Sequence, residues 1–293
     1  MSRAGVGVMT RGAGARRMAL CVGVAVAAMS CGRADKTDSA GARNAPPAGA
    51  AGGVAVSSSS RAQPLPQMQL ARVMANGASG GTVVQVSVLF AGFTPTDTII
   101  DAQRLAASCR ATFRDTLVAH RGDAVAGVLL WIEGDVPVVP SAAPPAERRP
   151  TVRLERCRLQ PRMQLAALGS TVQLLMEDNR IDTLIVVPAD GGEHSDTVSF
   201  ITDGQLVPLR RNDRPGVISI QAVTMPWARA YVAIAPAGTA AISDADGRAS
   251  FTLSRQGSAA TIRAWHPVLG SSSATLTPLT LQGGGVVTLT FRR

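Results

Sequence analysis

The sequence predicts an all-β protein, and three observations carry that expectation. From Gly80 onward, apolar residues recur with a period of two or in short continuous runs, the spacing of half-buried and fully buried strands. Turn signals punctuate those runs at Asp203-Gly204, Arg214-Pro215-Gly216, Asp246-Gly247 and Gly283-Gly284-Gly285. Of the 293 residues 46% are hydrophobic but only 3% aromatic, so a sizeable core must rest on Val, Leu, Ile and Ala. Many short, closely spaced strands argue two β-sandwich modules.

Residues 1–30 read as a lipoprotein-type signal peptide. Residues 1–17 are basic and lack acids, and the 13 residues 18–30 are apolar but too short to span a bilayer. Ser30-Cys31-Gly32 resembles a bacterial lipoprotein processing site, which makes Cys31 the expected lipidated first residue of the mature chain. The implied partner is a membrane, reached through a lipid anchor at Cys31. The expected location is the bacterial cell envelope, facing the periplasm or the outer surface. Secretion without lipidation is the alternative. Residues 31–78 are rich in Ala, Gly, Ser and Pro, cannot offset their ordering entropy by apolar burial, and read as a flexible tether. A short helix at 68–75 is the one regular element expected there.

The strands follow at Thr82–Phe90, Ala124–Ile132, Val152–Leu159, Thr171–Met176, Thr183–Val187, Thr197–Ile201, Gly216–Val223, Ala230–Ile234, Ala249–Leu253, Ala259–Trp265 and Gly285–Phe291. Only Ala102–Phe113 looks helical. The expected modules are residues 79–235 and residues 236–293. The strands within Thr82–Ile132 fit either the first module or a separate pairing with the C-terminal strands. In the second, Ala241-Ile242-Ser243 and the strand after Asp246-Gly247 read as a hairpin. Asp244 and Asp246 lack the longer spacing and terminal glutamate of a calcium loop and read as turn residues.

The formal charge is +9, and removing the four arginines of residues 1–30 leaves +5. Arg153, Arg156, Arg158 and Arg162 are scattered along one stretch, the pattern of a solvated strand face rather than a phosphate-binding stripe. No aromatics interleave with them to stack bases, so no nucleic-acid partner is expected. With Cys21 in the signal and Cys31 at its end, Cys109 and Cys157 remain for the folded body. In an oxidising compartment a disulfide is the simplest reading; two buried thiols or a metal thiolate are the others.

No motif for hydrolysis, zinc binding or phosphate cradling occurs, so no catalytic residue and no cofactor are expected. His120 lies in a polar loop. His194 stands in Glu193-His194-Ser195-Asp196, read as an ordinary loop. His266, between Trp265 and Pro267, reads as a packed structural residue. Met163, Met176 and Met225 read as core filling.

Several stretches resemble envelope proteins that join a cupredoxin-like domain to a carboxypeptidase-regulatory-like (transthyretin-like) module, some of them methylamine-utilisation-protein-like. They are Cys157-Arg158-Leu159-Gln160-Pro161, Gly169-Ser170-Thr171-Val172 with Glu177-Asp178-Asn179, and Met225-Pro226-Trp227-Ala228-Arg229-Ala230-Tyr231-Val232. Ser243-Asp244-Ala245-Asp246-Gly247-Arg248 and Ala264-Trp265-His266-Pro267-Val268-Leu269-Gly270 resemble the appended module. The resemblance implies a copper scaffold, but the ligand positions fall on Asp182 (or Thr183), Ala222, Met225 and Ala228. A blue-copper site needs two imidazoles and a thiolate with a weak axial thioether, so no metal is expected at this degenerate site. The expected function is a non-enzymatic binding or scaffold module with an envelope protein or glycan partner. The alternative is a copper-handling or electron-transfer-associated protein with unusual ligands such as Met225, Met176 and His194.

Overall fold

A computed structural model describes residues 63–71, 73, 81–101, 112–134, 137–139, 149–178, 181–188, 195–254, 259–277 and 283–292. The expected signal segment, Cys31 and most of the expected tether lie outside them. All described residues belong to one compact unit, Ser57–Arg293. The unit is all-β.

Six strands come first: β1 (Gly81–Ala91), β2 (Thr98–Asp101), β3 (Thr112–Asp115), β4 (His120–Arg121), β5 (Ala124–Val125) and β6 (Leu129–Gly134). Nine more follow: β7 (Thr151–Glu155), β8 (Arg158–Gln160), β9 (Met163–Ala167), β10 (Thr171–Met176), β11 (Asp182–Val187), β12 (Asp196–Phe200), β13 (Leu206–Arg211), β14 (Gly216–Ala222) and β15 (Arg229–Ala235). The last five are β16 (Ala240–Ile242), β17 (Arg248–Ser254), β18 (Ala260–His266), β19 (Gly270–Leu276) and β20 (Gly285–Arg292).

Strand pairing divides the chain differently from the expected boundary at residue 235. One sandwich faces the sheet β17-β1-β5-β4, with β20 parallel to β1, against the sheet β16-β6-β18-β19. Its core includes Val84, Val86, Val88, Leu130, Ile132, Phe251, Leu253, Ile262, Leu289 and Phe291. The other faces β13-β10-β7-β8 against β12-β11-β14-β15-β9 around Leu154, Leu174, Met176, Phe200, Ile218 and Ile220. β1 and β6 therefore pair with the C-terminal strands rather than with residues 151–235; β5 and β4 extend the sheet from β1, and β2 and β3 form a separate two-stranded sheet.

Three local expectations are corrected. Ala124–Ile132 is two strands, since Gly127 takes a positive φ of 70° and sends β5 and β6 into opposite sheets. Ser243 stitches that corner, its hydroxyl accepting from Val128 N at 2.9 Å and donating to Val125 O at 2.8 Å. Val152–Leu159 is a hairpin of β7 and β8 rather than one strand. The segments around Asp246-Gly247 are not a hairpin either: β16 pairs with β6 and β17 with β1, so this turn is a corner between sheets. Gly247 is required there, because a Cβ would meet Val88 O at 2.7 Å and φ is +70°. The Asp244 carboxylate accepts the N–H groups of Asp246 and Arg248, both at 2.9 Å, which is turn chemistry as expected.

Part of the expected tether packs on the fold. Leu65, Met68 and Leu70 pack on buried residues, Ala71 N donates to Ile132 O at 2.8 Å, and the described residues of 68–75 form no helix. Of the expected helix at Ala102–Phe113, residues 102–111 lie outside the described residues and the rest begins β3.

The two sandwiches share an apolar seam. Leu129 and Trp131 of β6, Ala240 of β16 and Trp265 of β18 meet Val217 of β14 and Tyr231, Ala233 and Ala235 of β15. Tyr231 and Trp265 contact edge to face with centroids 5.3 Å apart, a favoured aromatic geometry. At the end of β18, buried His266 accepts at Nδ1 from Val268 N (3.2 Å) and Leu269 N (3.4 Å). An Nδ1 acceptor requires the neutral ring. Burial, with a smaller contribution from the Arg162 charge, lowers its pKa from 6.5 to about 4.

The native protein thus keeps His266 neutral down to about pH 4, whereas the unfolded chain protonates it near 6.5. Between those values the unfolded state binds the extra proton, so stability is full above pH 6.5 and falls towards pH 4, by about 3 kcal/mol. Urea denaturation across this range should show that slope, and His266→Gln should flatten it; an unchanged slope in the variant removes His266 as its cause.

Candidate functional site

Asp182, Ala222, Met225 and Ala228, the positions that the sequence resemblance aligns with copper ligands, come together at one end of the second sandwich. β14 ends at Ala222, which pairs with Leu184 of β11, and the chain turns through Ala222–Ala228 before β15. Ala222 N donates to Ala228 O at 3.1 Å, and Ala228 N donates to Met225 O at 2.8 Å. Asp182, at the start of β11, accepts Thr183 N at 2.7 Å and the Thr224 hydroxyl at 2.9 Å. Asp182, Ala222, Met225 and Ala228 are all buried.

That arrangement does not fit a copper centre. Two positions present methyl groups, the third a core thioether, and the fourth a carboxylate engaged by Thr183 and Thr224. No imidazole or thiolate is among them, and these are the donors such a centre needs. The alternative ligands are not assembled into a site by the described residues. Met176 and Met225 belong to the same apolar core, and His194 lies outside the described residues. Among the described residues no three His, Cys, Asp or Glu side chains gather as a metal site. His120 is exposed, with its ring edge-on to Phe90.

Beside this loop opens a cleft of about 200 Å³ that linear reading of the sequence missed. Arg114 and Asp115 of β3, Arg158 of β8, Arg162 of the β8–β9 link, and Trp227 and Arg229 line it. Arg153 pairs with Glu177 and Arg156 with Glu155, so the four arginines read together on one strand face have separate fates. Arg162 donates to the buried Asp115 carboxylate, and its own carbonyl accepts Tyr231 N at 2.8 Å. Arg158 Nη2 donates to Arg114 O at 3.0 Å, and Arg229 Nε to Pro226 O at 3.0 Å. Burial raises the pKa of Tyr231, while Arg229 and Arg162 oppose that shift. These guanidiniums therefore abut the seam.

A strained turn places Arg158. Arg156 and Cys157 have φ of 50° and 61° without being glycine, the positive pair of a tight hairpin turn. The Asp178 carboxylate accepts both of their N–H groups, the second at 2.7 Å. Trp227 Nε1 donates to Cys157 O at 3.0 Å, tying the turn to the loop between β14 and β15. Cys157 is buried, and Cys109, its expected disulfide partner, lies outside the described residues.

No family model matches the sequence, and no curated protein matches it. Solved structures similar to parts of it include a Cu(I) amicyanin variant, at 18% identity over 36% of this chain and 98% of that one, with a TM-score of 0.28. Another is a purple cupredoxin from Nitrosopumilus maritimus, at 12% identity over 29% of this chain and 99% of that one, with a TM-score of 0.25. A third is a copper-containing nitrite reductase from Thermus scotoductus SA-01, at 14% identity over 30% of this chain, with a TM-score of 0.26; the chain spans 22% of its length.

Asp178→Ala leaves two strained N–H groups without their acceptor, one of them partly buried. It should cost about 1–3 kcal/mol, read as a lower midpoint in urea denaturation with the slope unchanged. A midpoint equal to wild type would show that water replaces the carboxylate.

Proposed function

We propose that this protein is a non-enzymatic cell-envelope lipoprotein whose sandwiches serve as a binding or scaffold module for an envelope protein or glycan. In this reading residues 151–235 are a cupredoxin-like sandwich without its copper site. The strands around Asp246-Gly247 and Trp265-His266 form a carboxypeptidase-regulatory-like module completed by β1, β5 and β6. The observation that carries the proposal is the burial of Ala222, Met225 and Ala228 in an apolar core at the positions where ligands would stand. A loop held by its own backbone bonds and by Asp182 needs no ion to shape it.

Export and anchoring through Cys31 rest on the signal segment alone. A Cys109–Cys157 disulfide is part of the proposal. The burial and engagement of Cys157 support it, and closing a loop of that length would contribute about 4 kcal/mol in the chain-entropy account.

Two measurements test the reading. Copper analysis of the purified full chain, followed by Cu(I) and Cu(II) titration, should return no bound copper and no tight one-equivalent binding. Saturable binding at one equivalent would instead favour a metal-handling role through ligands such as Met225, Met176 and His194. In bacterial cells the protein should partition with the detergent phase, and Cys31→Ser should move it to the aqueous phase; a variant that stays with detergent rules out the lipid anchor.

A further inference from the structure

We infer that the groove between the 63–71 segment and the sheet β16-β6-β18-β19 binds a neutral saccharide. This rests on the binding-module reading and selects the glycan from its two partners. Strand pairing builds one wall. Arg263 of β18 lies opposite Trp131 of β6 and Ser273 of β19, and Trp265 lies opposite Leu129 and Ser271. Directly paired residues share a face of the sheet. Trp131, Glu133, Arg263, Ser271 and Ser273 therefore stand on the same face as Leu129 and Trp265 of the seam, and beyond the seam that face turns polar. The 63–71 segment makes the other wall. Leu65, Met68 and Leu70 pack on the seam, which leaves Gln67 and Gln69 exposed and lining the groove. The groove encloses about 470 Å³, within the range of small-molecule sites.

Its charge selects the ligand class. Glu133 and Arg263 are the charged residues of the lining, and Arg263 Nε donates to Glu133 Oε2 at 2.8 Å. The pair is neutral as a unit, so it favours neither an anion nor a cation. Trp131 Nε1 donates to Glu133 Oε1 at 2.9 Å, so two donors fix the carboxylate. Each carboxylate oxygen keeps a further lone pair, and the half-exposed guanidinium keeps its two terminal nitrogens as donors. The amides of Gln67 and Gln69 and the hydroxyls of Ser271 and Ser273 both donate and accept. Planar groups that bond in pairs match the neighbouring hydroxyls of a sugar ring, and those hydroxyls also donate and accept. Pro66, in the same lining, supplies apolar surface for the C–H face of the ring.

The test is a neutral-glycan array probed with the full chain, followed by calorimetric titration with the oligosaccharide that gives the strongest signal. It should bind saturably at one equivalent, with an affinity that salt leaves unchanged because no net charge is matched. Gln67→Ala/Gln69→Ala removes two exposed amides and leaves the packed Leu65, Met68 and Leu70 in place. It should lower affinity at least about tenfold, the scale of one or two net hydrogen bonds. Arg263→Lys, which keeps the charge and loses the fork, should also weaken binding. Arg211→Gln, which removes an exposed guanidinium paired with Asp213 in the other sandwich, should leave binding unchanged. Thermal unfolding checks that each variant is folded; if Arg263→Lys is not, the glutamine double variant decides alone. A silent array, an affinity that falls steeply with salt, full binding by the glutamine double variant, or equal loss in Arg211→Gln overturns the proposal. That failure would leave the binding-module reading standing with a protein partner, whereas one-equivalent copper binding or catalytic turnover would remove that reading without touching the groove.

Discussion

The structure depends on two strands that are buried on both faces. In β6, Leu130 and Ile132 point into one sandwich while Leu129 and Trp131 point into the seam. In β15, Ala230, Val232 and Ile234 fill the other sandwich while Tyr231, Ala233 and Ala235 face the same seam. Neither sandwich therefore has a polar outer face on that side, and separating them would expose two tryptophans and a tyrosine at once. Burial of each large aromatic is worth several times the net value of a hydrogen bond. The seam makes one unit of two modules that strand pairing alone would leave independent. The 63–71 segment seals its edge, with Trp265 Nε1 donating to Pro64 O at 3.2 Å.

The same constraint sets the electrostatics nearby. Tyr231 enters the seam from β15, its backbone N–H is bonded to Arg162 O, and Arg162 in turn reaches Asp115 on β3. His266 lies close enough to feel the Arg162 charge, which adds to burial in keeping the ring neutral. A neutral ring is also the only form whose Nδ1 can accept the N–H groups of Val268 and Leu269. Arg162 thus reaches the seam through its carbonyl, and Asp115 and His266 through its charge.

What was legible in the sequence follows from this geometry. Strands buried on both faces lose the period-two alternation and read as unbroken apolar runs, and 124–132 and 230–234 were visible for that reason. The same lack of alternation concealed the corner at Gly127, because nothing polar marks it. β13 and β19 escaped notice because they are poor in buried apolar side chains: Leu206–Arg211 is mostly exposed, and Gly270–Leu276 is largely serine and threonine. The division between modules was illegible for a different reason. β1 finds its partners more than 150 residues away, at β17 and β20, and no local pattern encodes so distant a choice. The arginine cleft was illegible, since its lining comes from three stretches far apart in sequence, 114–116, 158–162 and 227–229.

The loop between β14 and β15 is fixed by its own contacts: Ala222 N bonds Ala228 O, Ala228 N bonds Met225 O, Asp182 accepts the Thr224 hydroxyl, and the Met225 side chain fills the core. A loop fixed this way is already ordered in the absence of any ligand. Its outer residues, Trp227 and Arg229, are therefore held in place beside Arg158 and Arg162 rather than having to be ordered on binding. Such preorganisation lowers the entropic cost of any recognition by these side chains.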